Sequence, residues 1–428
     1  MKAHIPDTGQ KRIVIIGGGF GGLKFARKLA KHDYQLVLLD KINYHQFQPL
    51  FYQVATAGLE PSAISFPFRK VFQKIDNVFI RLTEVTSVNT KESYVVSDIG
   101  EISYDYLVVA IGADTNFFGN EKIKSHSMPM KSINEALSLR NRILQNYEEA
   151  LTVEDNVKQQ ALMNIVVVGG GPTGVEVAGT LAEMKKNILP KDFPELKFER
   201  MQVHLLEASP RLLSGMSQKS SDKSKEYLEK LGVHVCLNTR VKDYDGEQVF
   251  LGEGAAIPAK TLVWAAGVAG NKLEGIPEEL LVRGNRIKVD RFNKMEGSSN
   301  VFAIGDVCYM TEEKFPNGHP QVAQVAMQQA ENLACNFGRL LKKDEMKQFS
   351  YKDLGSMATV GRNLAVVDFP FMKIQGFFAW LIWMLVHLMS IVGTKNRLLI
   401  FINWAWNYIT YDQSLRLIIR DPKKKKSQ

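Results

Sequence analysis

Cysteine is scarce in this chain of 428 residues. There are three, Cys236, Cys308 and Cys335, and none stands in a C-x-x-C or C-x4-C spacing. That excludes a disulfide framework, an iron–sulfur ligand set and a paired-thiol redox centre, and it points to a reducing compartment. Each thiol reads as a small buried hydrophobe. No apolar run opens the chain either: residues 1–11 are polar and the first apolar run is four residues long, so no signal peptide is expected. Acidic residues are in deficit, 45 against 54 basic ones, for a net charge of +9. Such an excess raises nucleic acid, an anionic membrane or an acidic ligand as partners. The bases gather at the end, Arg420 and Lys423 to Lys426, directly after an apolar region, which favours a membrane surface over nucleic acid. One stretch lacks charge altogether, the 21 residues from Ile374 to Thr394, which contain no Asp, Glu, Lys or Arg. Otherwise the composition, 45% hydrophobic and 23% charged, is that of a globular protein of two to three domains.

What the chain does have is glycine in a particular order. Arg12 to Ile16 reads as a strand buried on both faces and leads into Gly17, Gly18, Gly19, Phe20, Gly21 and Gly22, a G-x-G-x-x-G pattern. A helical pattern follows (Leu23, Phe25, Ala26, Leu29), then a second apolar strand ending at Asp40. In such a unit the first glycine makes the tight turn, the second lets the backbone approach a pyrophosphate, and the third lets helix and strand pack closely. The helix N-terminus offers N–H groups to phosphates, and Asp40 can accept ribose hydroxyls. The pattern therefore predicts a dinucleotide site.

The same unit recurs. Ile165 to Val168 leads into Gly169, Gly170, Gly171, Pro172, Thr173 and Gly174, a helix starts at Val175, and a strand from Val203 ends in Glu207. The gap from Gly174 to Glu207 is 33 residues against 18 from Gly22 to Asp40, so Lys185 to Arg200 reads as an insertion in the crossover. The strand Tyr106–Val109, which runs into Ala110, Ile111 and Gly112, is mirrored by Thr261–Trp264, which runs into Ala265, Ala266 and Gly267. Two dinucleotide units in one chain imply electron transfer between two dinucleotides, a tightly held FAD and a diffusible NAD(P)H. Glu207 at its strand end accepts both ribose hydroxyls and repels a 2′-phosphate, which favours NADH; Arg211, four residues on, could soften that preference.

Between these units lies an aromatic-rich stretch, Asn43 to Gly58, with neither helical nor strand period; lying along a flat ring system and packing against the sheet are both open to it. After the second unit come Val301 to Ile304, Gly305 and Asp306, a strand with a terminal carboxylate. Here the chain resembles the two-dinucleotide-domain flavoproteins of the glutathione-reductase superfamily, in which such an Asp binds the FAD ribitol. The Thr often found five residues before that strand is Glu296 in this chain. Pro320 to Glu331 then places Gln324 and Gln328 four apart, on one helix face. On spacing alone that is a solvated face. The A-Q-x-A-x-Q pattern, the Tyr44–His45 loop and the basic apolar C-terminus together resemble type II NADH dehydrogenase, the NADH:quinone oxidoreductase, across essentially the whole chain.

The resemblance implies that Glu176, Gln324 and Gln328 are catalytic. It also places Tyr44, His45, Val85, Ala110, Gly112, Ala323, Gln324 and Lys395 at the cofactors, with Gly169, Gly171, Gly174, Glu176, Glu207 and Gly267 on the nicotinamide side. Glu176 is a candidate for positioning or proton transfer, and equally a helix-N-terminal carboxylate that satisfies the dipole. The uncharged stretch admits a transmembrane span, a monotopic helix or a dimer-buried helix. A second apolar run, Leu398 to Tyr411, favours a helical hairpin lying in the membrane interface.

The expected fold is α/β with two Rossmann-like domains. Residues 1–120 and 291–350 form the FAD-binding domain, 121–290 the NADH-binding domain, and 351–428 a membrane-anchoring and dimerisation region. The expected activity is NADH oxidation with reduction of a membrane quinone, menaquinone or ubiquinone. The expected setting is a monotopic homodimer on the cytoplasmic side of the cell inner membrane, without nucleic acid or metal. Rivals are a sulfide:quinone reductase, which works through cysteines near the flavin, and a non-catalytic NADH-binding redox sensor.

Overall fold

The computed structural model describes residues 3–410 and 415–418. The chain folds into two compact units. One comprises Met1–Gln46, Ser65–Asp114 and Val268–Asp353; the other comprises Phe47–Ile64, Thr115–Gly267 and Leu354–Gln428.

In the first unit, Arg12–Ile16 is flanked in parallel by Gln35–Asp40 and Tyr106–Val109, and the sheet is completed by Val78–Leu82 on one edge and Val301–Ala303 on the other. Ile13, Val14 and Ile15 are wholly buried, as an apolar run in the middle of a covered parallel sheet must be. All five strands point the same way, so Gly17, Asp40, Ala110 and Gly305 emerge at one end of the sheet, where ligands of open α/β sheets bind. The helix Phe20–Leu29 buries Leu23, Phe25, Ala26 and Leu29. Its exposed face is tied to the helix Ala323–Leu341 by Lys24 and Lys28, which both pair with Glu331.

The second unit repeats the plan with four parallel strands in the order Val233–Cys236, Val203–Leu206, Ile165–Val168, Thr261–Trp264. The segment Lys185 to Arg200 is no loose insertion. The helix Pro172–Asn187 runs into it, and Ile188, Leu189, Phe193, Leu196 and Phe198 are buried. The aromatic-rich stretch also has local structure, a strand Tyr44–Gln46, a 3-10 turn Gln48–Leu50 and a helix Phe51–Ala55, in pieces too short to show a period. Phe51 and Tyr52 are buried, so packing accounts for them.

The C-terminal part of this unit is a three-stranded antiparallel sheet (Ser356–Gly361, Leu364–Asp368, Lys373–Gln375) followed by the helices Phe377–Ser390 and Thr394–Thr410. The uncharged stretch is therefore not one helix: its first residues close the sheet, and Gly376, at φ +76°, starts a helix of 14 residues. That rises about 21 Å, short of a bilayer core of about 30 Å. Among the described residues no helix is long and apolar enough to cross a membrane. The helix pair buries Ala379, Trp383, Ile400 and Trp404 and turns Phe378, Leu385, Met389, Leu398, Phe401, Ile402, Trp406 and Ile409 outward. The lysine run after residue 420 lies outside the described residues.

Candidate functional site

Each unit carries a glycine turn built the same way. A Cβ on Gly22 would meet the Gly17 carbonyl oxygen at 1.8 Å, and a Cβ on Gly174 would meet that of Gly169 at the same distance, so no other residue lets helix and strand pack this closely. Gly19 and Gly171 are the N-caps of the two helices, and neither turn carries a side-chain cap. The space in front of each is open: a Cβ on either would meet nothing within 4 Å. That is the shape a pyrophosphate needs, with backbone N–H groups and the positive helix end facing it.

The strand-end acids lock these turns. Asp40 accepts from the Gly18 N–H at 2.6 Å and from the Ile42 N–H at 2.9 Å; burial pushes its carboxyl upward and those N–H groups oppose the shift. Glu207 accepts from the Gly170 N–H at 2.5 Å and from the Ser209 N–H at 2.7 Å. Arg211 donates to the Ser214 carbonyl at 2.5 Å and to Gln218 at 3.2 Å.

The other expected residues of the first unit gather around its turn. His45 is buried, its Nδ1 lies 3.1 Å from the Gly18 carbonyl oxygen, and its ring meets Phe20 edge-on. Burial lowers its pKa, so the imidazole is neutral at pH 7. Tyr44 is half-buried on the same short strand. Ala110 follows the strand Tyr106–Val109, its N–H bonded to the Ile16 carbonyl, and Gly112 takes the left-handed conformation at φ +69°. Asp306 is half-buried just past the strand Val301–Ala303, in a turn started by Gly305. Val85 begins a strand of the separate antiparallel sheet Val85–Asn89, Tyr94–Ser97, Gly100–Ser103. Glu296, in place of the family's usual Thr, forms an ion pair with Lys288.

Ala323 and Gln324 form the first turn of the helix Ala323–Leu341, and both are half-buried. Gln328 is differently placed: its amide donates to the Lys352 carbonyl at 2.9 Å and accepts the Lys352 N–H at 3.0 Å, clamping the segment before Asp353. Two glutamines that sequence reasoning passed over hold the loop at Asp306. Gln321 donates to the Asp306 carbonyl at 2.9 Å, and the buried Gln329 accepts the Gly305 N–H at 2.8 Å. Gln329 breaks the i, i+4 spacing of Gln324 and Gln328, so periodicity alone gave no sign of it.

In the second unit Glu176 is 7% exposed. The Thr359 N–H reaches its Oε1 at 3.4 Å and the Trp383 indole interacts with the same carboxyl. Burial outweighs both and raises its pKa to about 8, so it is a neutral acid at pH 7. The helix carrying it packs tightly on the strand Ser356–Gly361, where a Cβ on Gly179 would meet the Val360 carbonyl oxygen at 1.6 Å. Thr359 and Trp383 were missed because they come from the C-terminal region, some 180 and 200 residues further along the chain. Gly267 sits at φ +77° after the strand Thr261–Trp264. Lys395 is exposed in the first turn of the helix Thr394–Thr410. No thiol is poised for chemistry: Cys308 is buried, which pushes its pKa up to about 12, Cys236 is raised by burial as well, and Cys335 is exposed on a helix. Among the described residues no group of His, Cys, Asp and Glu could hold a metal ion.

The pyridine nucleotide-disulphide oxidoreductase family matches residues 11–330, and the NDH2 C-terminal domain matches residues 354–410. Two type II NADH:quinone oxidoreductases of Mycobacterium tuberculosis, NdhA and Ndh, are 36% and 35% identical to this chain, covering 94% and 93% of it and 88% of each relative. The chain belongs to the type II NADH:quinone oxidoreductases. The fold agrees: the structure of NDH2 from Plasmodium falciparum in complex with NADH superposes with a TM-score of 0.88 at 23% identity, over 96% of this chain and all of that one. A sulfide:quinone oxidoreductase from Aquifex aeolicus shares the fold less closely, with a TM-score of 0.72 at 20% identity over 88% of this chain and 90% of that one. As in other members of the family, the cofactors are FAD and NADH, and both glycine cradles fit a dinucleotide.

Proposed function

We propose that this chain oxidises NADH and reduces a membrane quinone, with FAD held by the turn Gly17–Gly22, Asp40 and Asp306 and NADH by the turn Gly169–Gly174 and Glu207. The observation that supports this reading above others is the repetition of one acid-locked glycine cradle. FAD bound in the first cradle would supply the two-electron redox chemistry between NADH and quinone.

The protein positions the reactants and manages charge and protons. The N-terminus of the helix Ala323–Leu341, with Gln324 in its first turn, favours negative charge at that end of the sheet. Gln324 is the amide that donates to a quinone carbonyl, and Gln328 supports it by clamping Lys352. Glu176, neutral at pH 7, is the acid on hand when a quinone oxygen needs a proton. The helix pair at the C-terminus lies in the membrane interface with its apolar side in the lipid, giving a monotopic protein. We place it on the cytoplasmic face of the cell inner membrane as a homodimer, the setting that the resemblance implies.

Purification from membranes, identification of the released flavin and anaerobic titration test the whole reading. NADH should bleach the flavin and a quinone should restore it. Restoration without quinone, or bleaching by sulfide in place of NADH, overturns it. Sedimentation equilibrium in detergent tests the dimer, and protease accessibility in inside-out vesicles tests the face.

A further inference from the structure

The helix Pro172–Asn187 carries a second, half-buried acid that the reaction outlined above leaves unused. Glu176, Thr180 and Glu183 are spaced i, i+4, i+7 and so share one face of the helix. Glu176 is the inner residue and Glu183 the half-buried outer one, about 10 Å further along the axis. A cavity of about 150 Å³ opens beside Thr180 and Glu183 beneath the C-terminal helices; Tyr52 lines it, and so do Thr359 and Trp383, the two residues that meet the Glu176 carboxyl. At about 30 Å³ per water it has room for several, and its wall offers them polar partners.

The groups around the two carboxyls suit proton transfer. Tyr52 is buried, lines the cavity and lies within electrostatic reach of both Glu176 and Glu183. Its phenol oxygen accepts from Gln53 at 2.9 Å, which leaves the hydroxyl hydrogen to donate onward. Glu183 accepts the Arg362 N–H at 2.6 Å, and burial raises its pKa against the pull of that N–H and the guanidinium. Tyr52 and Arg362 act electrostatically on this pair, and Tyr408, under the Arg362 guanidinium, lines the same cavity.

We infer that Glu183 is a proton-relay residue that refills Glu176 through this cavity, with Tyr52 as the hydroxyl between them. The inference rests on the reading of Glu176 as the acid that protonates quinone. Forming quinol takes two electrons and two protons. NADH gives both electrons and one proton as hydride, and the second proton must come from water. Glu176 gives its proton to a quinone oxygen and becomes a carboxylate. Glu183 returns a proton through Tyr52 and cavity water, and takes one from solvent in turn.

Infrared difference spectroscopy on the FAD-loaded full chain tests this without turnover. The protonated carboxyl band of Glu176 is identified by its loss in Glu176→Gln. Its shift on transfer from H2O to D2O should slow at least tenfold in Glu183→Gln and in Tyr52→Phe; an unchanged exchange rate in both overturns the relay. In stopped-flow, Glu183→Gln should slow reoxidation of the flavin by quinone about tenfold, leave bleaching by NADH unchanged, and be rescued by added formate. Slow reoxidation in Glu176→Gln with normal reoxidation in Glu183→Gln overturns the relay alone. Normal reoxidation in Glu176→Gln instead overturns the reading on which it rests.

Discussion

The Gly170 N–H donates to the Glu207 carboxylate at 2.5 Å, the same relationship that Gly18 has with Asp40 at 2.6 Å. In each unit the strand-end acid faces the second residue of the glycine turn, and its other oxygen accepts one more backbone N–H, from Ser209 or Ile42. A carboxylate oxygen accepts more than one hydrogen bond, so both acids retain lone pairs for a ribose while holding their turns in shape.

Glu207→Gln should therefore relax discrimination against NADPH. Removing the negative charge removes its repulsion of a 2′-phosphate, and the ratio of kcat/KM for NADH over NADPH should fall about tenfold, the equivalent of about 1.4 kcal/mol. Arg211, four residues on, is held by Ser214 and Gln218. An unchanged ratio would confine Glu207 to bracing the turn.

Glu176 makes stability depend on pH. Its folded pKa, about 8, lies above the ordinary 4.5. Between those values the unfolded chain has released the proton that the folded chain retains, so the stabilisation is full below about pH 4.5 and is lost as pH rises towards 8. One such group contributes a slope of about 1.4 kcal/mol per pH unit within that window. Melting temperatures of the wild type and Glu176→Gln from pH 5 to 8 should show a fall in the former that is flattened in the latter.

Gln324→Leu should slow reoxidation of the flavin by quinone while leaving bleaching by NADH nearly intact. One lost hydrogen bond to a carbonyl that gains charge costs about 1–3 kcal/mol, or roughly five- to 150-fold. Gln328→Leu frees both backbone groups of Lys352, so a lowered melting temperature should accompany a smaller kinetic effect. Slowed bleaching with normal recovery would instead move both glutamines to the NADH side.

Membrane attachment should yield to charge on the outward face of the C-terminal helices. Leu385 is 61% exposed and Phe401 54% exposed, so glutamate at both should leave the fold intact. Sedimentation with anionic liposomes should drop at least tenfold while NADH oxidation by a soluble acceptor persists. Truncation before residue 374 is a poorer test, because it also removes Trp383 from the surroundings of Glu176. Binding unaffected by the paired glutamates would overturn the interfacial placement.

The cradles were legible in the sequence because a dinucleotide turn is a local device. Gly17, Gly22 and Asp40, like Gly169, Gly174 and Glu207, lie within one strand–helix–strand unit, and their roles follow from backbone sterics and strand ends. The same holds for the apolar C-terminal helices, whose composition suits lipid at an interface, although a strand and Gly376 cut the uncharged stretch short. Only the tertiary structure decided how Glu176 titrates. Its carboxyl is a neutral acid because folding buries it, Gly179 letting the strand Ser356–Gly361 sit directly on its helix, and that loss of water outweighs the Thr359 N–H and the Trp383 indole, which favour the charged form. A pKa of this kind is set by the solvent that folding removes. No spacing within the helix Pro172–Asn187 encodes that, and neither does it reveal the cavity that Glu183 and Tyr52 share.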